Sequence, residues 1–392
     1  MRDVTLERAL ELAREHAVRT EPEEVPVAVA AGRRLAAPVV ARADLPGEDA
    51  SAMDGYALRA ADAPGVLPLE GESAAGAPLA TALAPGRAVR ISTGARLPEG
   101  ADAVVRLEDA SERGGGVRVP AAAPGDHVRR RGEVIGRDDV LLPAGAWVGP
   151  HEVVALGSAG HASVSCHRRP RVALLATGAE LIPLGAPPRP GAVWDSSRVG
   201  LAAQAAAAGG RPVAALTVGD DRAATRLALQ ALLDEGGEHP DLLVTAGGVG
   251  GGRHDHVRAA LGELGAEEVL RGVMADPCRP VWLGRLGDRV VLGLPGNPVS
   301  AAVGFHVVGR ELLGRSEGWA RRAALARDVR REPDRVDLPR CVIGPDGRLA
   351  PMPHQGSHAI TSLAGADAIA WIPAGEGGLR AGEPVAYAPL TP

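Results

Sequence analysis

The sequence predicts a multidomain chain of mixed α/β and β class, with a doubly wound α/β domain set between β-rich regions. Three observations carry this. At 392 residues the chain exceeds one ordinary hydrophobic core and suffices for two to four domains. Beyond Pro170, apolar runs alternate with helix-length stretches, the pattern of a parallel sheet with helices on both faces. Before "RRRGEVI" and after Gly318 the apolar runs are short and broken by proline and glycine, as in all-β pieces.

The elements follow in order. "MRDVTLERALELAREHAV" sets Leu6, Leu10, Ala13 and Ala17 on one stripe with charges opposite, which predicts an amphipathic helix to about Arg19. "VPVAVAAGRRLAAPVVA", "GRAVRISTG", "ADAVVRLED" and "GVRVP" read as short strands. In the α/β region, "RVALLATG", "RPVAALTVG", "DLLVTAGG" and "VVLGLPGN" read as strands. "SRVGLAAQAAAAGG", "DRAATRLALQALLDEG", "HDHVRAALGELG" and "PVSAAVGFHVVGREL" read as the helices that follow them.

Composition narrows the function. Hydrophobic residues make up 45% of the chain and mean hydropathy is +0.01, values of a soluble globular protein. No apolar run approaches the roughly 20 residues of a membrane span. The charged first helix is unlike a signal peptide, so a cytoplasmic location is expected. Cys166, Cys278 and Cys341 lie far apart without zinc spacing, as suits a reducing compartment. A net charge of −5 and 2% aromatic residues argue against nucleic-acid partners.

Ligands of such sheets bind at the C-terminal strand ends, here "TGAEL", "GDD", "GGVGGG" and "LPGNP". The glycine loop beginning at Gly247 and Gly248 favours anions. It is not a Walker loop, because the chain contains no lysine. Nor is it a dinucleotide fingerprint, since Val249 and Arg253 stand where glycine is required. Glu180, Asp220, Asp221 and Asp255 gather at the same ends, an oxygen-rich setting suited to magnesium beside a phosphate. Helix capping is the competing role for each acid, Asp220 and Asp221 above all. "LPGNPVS" is a rigid turn after a buried strand, or simply a strand-to-helix turn with Pro298 at the helix start. Taken alone, "SAMDGYA" with Asp54 and "STGARLPEGADAVV" with Thr93 read as turns. "VRRRG" reads as a solvated run that can also grip phosphate, and "HQGSH" as a loop.

Together, "SAMDGYA", "STGARLPEGADAVV", "VRRRGE", "RVALLATGAEL", "DLLVTAGGVGGGRHDHV", "GLPGNPVSAAVGF" and "HQGSH" resemble, in order and over nearly the whole chain, the molybdopterin molybdenumtransferases. These are the MoeA family, related to the gephyrin E domain. The resemblance implies an elongated homodimer with four domains. A discontinuous dimerisation domain would comprise 1–21, 41–48 and 134–167, and a β-rich insertion 22–40 and 49–133. The α/β molybdopterin-binding domain would span 168–318, and a β-barrel-like C-terminal domain 319–392.

It further implies molybdenum cofactor biosynthesis: molybdate enters adenylated molybdopterin with magnesium present, and AMP is released. By motif, Asp54 and Thr93 approach the site from the partner subunit. Glu180, Asp220 and Asp255 are the catalytic, magnesium-linked acids. Gly247 and Gly248 hold phosphate, while Pro295, Gly296, Asn297, Pro298 and Ser300 shape the pterin and oxyanion pocket. Arg340 and Ser357 resemble positions near molybdate. A molybdopterin adenylyltransferase and molybdoenzyme-maturation proteins are the implied partners.

The chain departs from the family pattern at Val134, Ala179 and Gly250. It also reads "MADPCRP" where the family has "MKPGKP". Arg279 replaces one lysine there, whereas Ala275 or Asp276 replaces the other, and Cys278 is new. Arg271 is the candidate to compensate, because arginine grips oxyanions well. The expectation is an active insertase. The alternative is a diverged paralogue that binds the pterin nucleotide or a partner protein without efficient catalysis.

Overall fold

The computed structural model describes residues 1–234, 239–250, 255–316 and 319–390. The continuation of the glycine loop at 251–254 and the expected domain boundary at Gly318 lie outside these residues. The chain divides into two compact units, Met1–Glu21 with Arg168–Pro392, and Pro22–His167.

The first unit is built on a seven-stranded sheet. Its strands are β1 (Arg2–Val4), β2 (Arg171–Thr177), β3 (Arg211–Val218), β4 (Leu242–Ala246), β5 (Glu267–Val273), β6 (Trp282–Leu286) and β7 (Arg289–Leu294). They lie in the order β1-β5-β6-β7-β4-β2-β3. The four strands expected from sequence, β2, β3, β4 and β7, are mutually parallel where they pair. The sheet as a whole is mixed, because β6 runs antiparallel to both β5 and β7.

Side chains alternate along the strands. Leu174, Val244 and Leu292 pack with helices α1 (Leu6–Glu15), α2 (Ser196–Ala207) and α5 (Pro298–Gly304) on one face. Leu175, Leu243 and Val291 meet α3 (Arg222–Asp234) and α4 (Val257–Glu263) on the other. The domain is thus doubly wound. Helix α5 runs on through a π-helical turn at Phe305–Gly309. A five-stranded antiparallel sheet, from Arg321–Ala324 to Pro384–Pro389, completes the unit.

Two expected boundaries are corrected. Residues 1–21, expected in a dimerisation domain, belong to the α/β unit: β1 pairs with β5, and Leu6, Leu10 and Leu12 enter the sheet's core. Residues 22–40, expected in the insertion, share one core with 134–167, where Val25, Leu35 and Val39 pack with Val148, Leu156 and Cys166. Strand Pro22–Pro26 pairs with Ser163–His167. The remaining insertion has its own six-stranded sheet, including Gly55–Leu58, Ala88–Ile91 and Ala103–Arg106.

Candidate active site

Strand order fixes where the α/β unit binds. From β2 the chain moves outward to β3, then returns to β4 on β2's other side. The crevice beyond the ends of β2 and β4 is therefore the topological switch point. Two loops meet there. Gly247 and Gly248 take φ of +91° and +71°, a region that disfavours side chains. A Cβ on Gly247 would lie 2.8 Å from the Thr177 carbonyl oxygen, and one on Gly248 2.4 Å from Val257 Cγ2. The Gly247 N–H donates to Leu294 O at 2.9 Å, and the Cβ position of Gly296 is 3.6 Å from Gly247 Cα. The glycine loop and the "LPGNP" turn are thus in contact, and both glycine requirements come from close approach.

Asn297 precedes α5 at the N-cap position yet makes no side-chain capping bond. Its Nδ2 donates instead to Ser357 Oγ at 3.0 Å, which ties the turn to the "HQGSH" segment. Arg340 lies behind that segment, 1% exposed. Its Nε donates to Ser362 Oγ at 3.2 Å and its Nη2 to Gly356 O at 3.3 Å, while Gln355 bonds both its backbone N–H and its carbonyl. Arg340 therefore shapes the segment that carries Ser357. Burial lowers the Arg340 pKa, against the opposing field of Asp337. Burial, with Asp276 next, pushes the Asp337 carboxyl up to about 6.

The acids separate by role. Asp221 is the helix cap, accepting from Ala224 N–H at 2.7 Å, which leaves Asp220 exposed at the strand end. The Glu180 carboxylate folds over Gly178, within 2.6 Å of where a Cβ would be. Asp255 Oδ2 is 3.3 Å from the Cβ position of Gly250. Among the described residues no group of three or more acidic, histidine or cysteine side chains is placed to hold a metal. Glu180, Asp220 and Asp255 thus form no self-sufficient cage. Magnesium commonly binds through one or two carboxylates plus substrate phosphates, and Glu180 and Asp255 lie against the loop glycines Gly178 and Gly250.

Sequence reasoning missed Asp195, which is 1% exposed at the start of α2. It accepts from Thr217 Oγ1 at 2.6 Å and from Arg198 Nε at 2.8 Å, bracing α2 against β3. "WDSS" before a helical run was the available signal.

Arg271 and Arg279, expected as anion ligands, line one cavity of about 440 Å³ with Val249, Gly250, Arg2 and Asp3. Asp276 is exposed and pairs in register with Asp337. Cys278 is buried, and burial drives its thiol up to about 12, so it is an inert filler.

In the second unit, Asp54 and Thr93 come together. The Thr93 N–H donates to Asp54 Oδ1 at 2.6 Å, and that bond chiefly holds the carboxyl below its usual range. A Cβ on Gly55 would fall 2.0 Å from Val105 O, so "MDG" requires its glycine. Two of the three "VRRRG" arginines are engaged structurally: Arg130 Nη1 bonds Asp49 Oδ2 at 2.6 Å, and Arg131 Nε bonds Asp44 Oδ2 at 2.5 Å. Val134 is 73% exposed on the same unit.

Three family models match in succession. They are the MoeA N-terminal region (domains I and II) over residues 4–160, the family described as "Probable molybdopterin binding domain" over 173–315, and the MoeA C-terminal region (domain IV) over 322–390. Molybdopterin molybdenumtransferase from Haemophilus influenzae is 31% identical over 386 residues, 95% of this chain and 94% of that protein. The chain belongs to the MoeA family. Molybdopterin molybdenumtransferase 2 from Mycobacterium tuberculosis is 38% identical over 315 residues, 76% of each protein. The molybdopterin biosynthesis MoeA protein from Pyrococcus horikoshii OT3 superposes with a TM-score of 0.83 at 26% identity, covering 98% of this chain and 99% of that one. The architecture is accordingly the MoeA multidomain one, and its α/β domain is the part matched by the family described as "Probable molybdopterin binding domain".

Proposed function

We propose that this MoeA-family chain is a molybdopterin molybdenumtransferase of molybdenum cofactor biosynthesis, which inserts molybdate into adenylated molybdopterin and releases AMP. One observation carries the reading: the glycine loop and the "LPGNP" turn touch at the switch point, and Asn297 joins that turn to Ser357. A phosphate nest, a rigid turn and a hydroxyl-bearing segment then border one crevice, the parts a pterin nucleotide and an oxyanion both need.

Gly247 and Gly248 would present backbone amides to phosphate, and Pro295, Gly296, Pro298 and Ser300 would wall the pterin. Asn297 and Ser357 would orient the oxyanion, with Arg340 fixing Ser357 from behind. Arg271 and Arg279 would supply positive charge from the cavity beside the glycine loop. Glu180, Asp220 and Asp255 would hold magnesium together with phosphate oxygens, where the ion would neutralise phosphate charge. Asp54, kept ionised by Thr93, suits accepting hydrogen bonds rather than donating a proton. In a homodimer, Asp54 and Thr93 of a second copy would complete the site. Among the described residues no helix is long and apolar enough to cross a membrane, in keeping with action in the cytoplasm. A molybdopterin adenylyltransferase would supply the nucleotide.

The test is molybdate-dependent AMP release from adenylated molybdopterin, with magnesium, by purified protein. Turnover that Glu180→Ala and Asp255→Ala each abolish is expected. Tight nucleotide binding with no molybdate-dependent AMP release would refute the activity and leave a binding protein.

A further inference from the structure

The cavity beside the glycine loop gathers more positive charge than the described residues around it balance. Arg2 on β1 and Arg271 on β5 are direct register partners in a parallel pair. Both line the cavity with Arg279, next to Val249 and Gly250 of the loop. None of the three arginines makes an ion pair or side-chain hydrogen bond with a described residue. Arg258, on α4, lies close enough to feel Arg271 and Arg2. Burial, then Arg271, lowers its pKa, with Glu268 and Asp255 offsetting part of the effect. Its Nη1 is buried without a hydrogen-bond partner. Among the described residues Asp3 is the carboxylate that lines the cavity; its φ of 44° is left-handed, and its Oδ1 lies 2.7 Å from the Cβ position of Gly272.

Cations crowded round one cavity repel each other until an anion enters. Guanidinium groups, planar and forked, match the paired oxygens of tetrahedral oxyanions. We propose that Arg2, carried in by the first strand, is a further substrate-binding residue, which joins Arg271 and Arg279 on a tetrahedral oxyanion in this cavity. Two sources present that chemistry, free molybdate and the phosphate of a nucleotide. A volume of about 440 Å³ admits either. The anion-binding role of Arg271 and Arg279 and the choice of these two sources rest on the insertase reading; the place of Arg2 rests on charge and geometry.

The experiment is calorimetric titration of the full chain at low salt, with molybdate in one arm and AMP in the other. Arg2→Gln and Arg271→Gln are each expected to weaken one ligand by about tenfold or more, since each removes a charge-assisted contact. Arg2→Lys, which keeps the charge, should recover part of the loss, and Asp3→Asn should tighten the same ligand. Loss in the molybdate arm assigns the cavity to the free oxyanion; loss in the AMP arm assigns it to phosphate. Unchanged affinity for both ligands in Arg2→Gln and Arg271→Gln, with circular dichroism matching the parent, overturns the site. Weakened binding by Arg2→Gln in a protein that releases no AMP would sustain the site while refuting the insertase reading. Full turnover and unchanged affinities in Arg2→Gln would do the reverse.

Discussion

Replacing Gly247 with alanine adds one carbon where two strand ends meet. The residue takes φ +91°, and a side chain in left-handed backbone costs roughly 1–2 kcal/mol. The new Cβ would stand 2.7 Å from Thr177 Oγ1 and 2.8 Å from the Thr177 carbonyl oxygen. Carbon meets oxygen comfortably only beyond about 3.3 Å. The hydroxyl can rotate away; the carbonyl belongs to β2 and cannot. The loop must therefore retreat by about half an ångström, straining its 2.9 Å bond to Leu294 O. The sum is about 2–4 kcal/mol, a large loss for one substitution. The check is urea denaturation followed by circular dichroism, with AMP affinity measured alongside. Gly262→Ala in α4 is the control, because nothing lies within 4 Å of its Cβ position. Exchanging glycine for alanine inside a helix should leave stability equal or raise it by up to about 1 kcal/mol. If Gly247→Ala matches the parent in both stability and AMP affinity, or Gly262→Ala is equally damaging, the close-approach account of this loop fails.

The raised Asp337 carboxyl gives stability a pH signature. Its folded pKa, about 6, lies above the ordinary carboxyl value of 3.8, so its contribution is full below about pH 4 and is lost as pH rises through 6. Asp337→Asn should flatten that slope in urea midpoints and be the more stable form at pH 7, whereas a parallel profile would exclude burial of this carboxyl as the cause. Mixing Asp54→Ala with Glu180→Ala protein tests the shared site. Each alone should be inactive, and random exchange in a two-fold dimer should restore about a quarter of the parent turnover. No restoration, with exchange verified, would place both residues in one subunit's site.

The sequence announced the α/β unit because each parallel strand is a short apolar run ending in glycine or a turn, and each helix repeats at helical spacing. The loops of the crevice were legible for the same reason, since rigid Gly and Pro positions mark where backbone must approach backbone. Non-local pairing was not legible. Nothing in "MRDV" says that residue 2 will lie beside residue 271, so Arg2 and the grouping of 1–21 with the sheet emerged only from the fold. Capping was ambiguous in the same way. "GDD" offers two acids, and only the backbone decides that Asp221 takes the helix while Asp220 stays exposed. Asn297 ran against local expectation: a residue ideal for capping α5 reaches for Ser357 instead.

Arg2, Arg271 and Arg279 form their cavity in a chain that contains no lysine. Guanidinium groups stay charged up to a pKa above about 12, whereas an ammonium can be neutralised by burial. An arginine lining therefore keeps its charge on burial where a lysine lining would surrender it. Arginine is also indifferent to acetylating reagents that erase a lysine's charge, so the cavity would keep its grip after treatment that disables a lysine-lined counterpart.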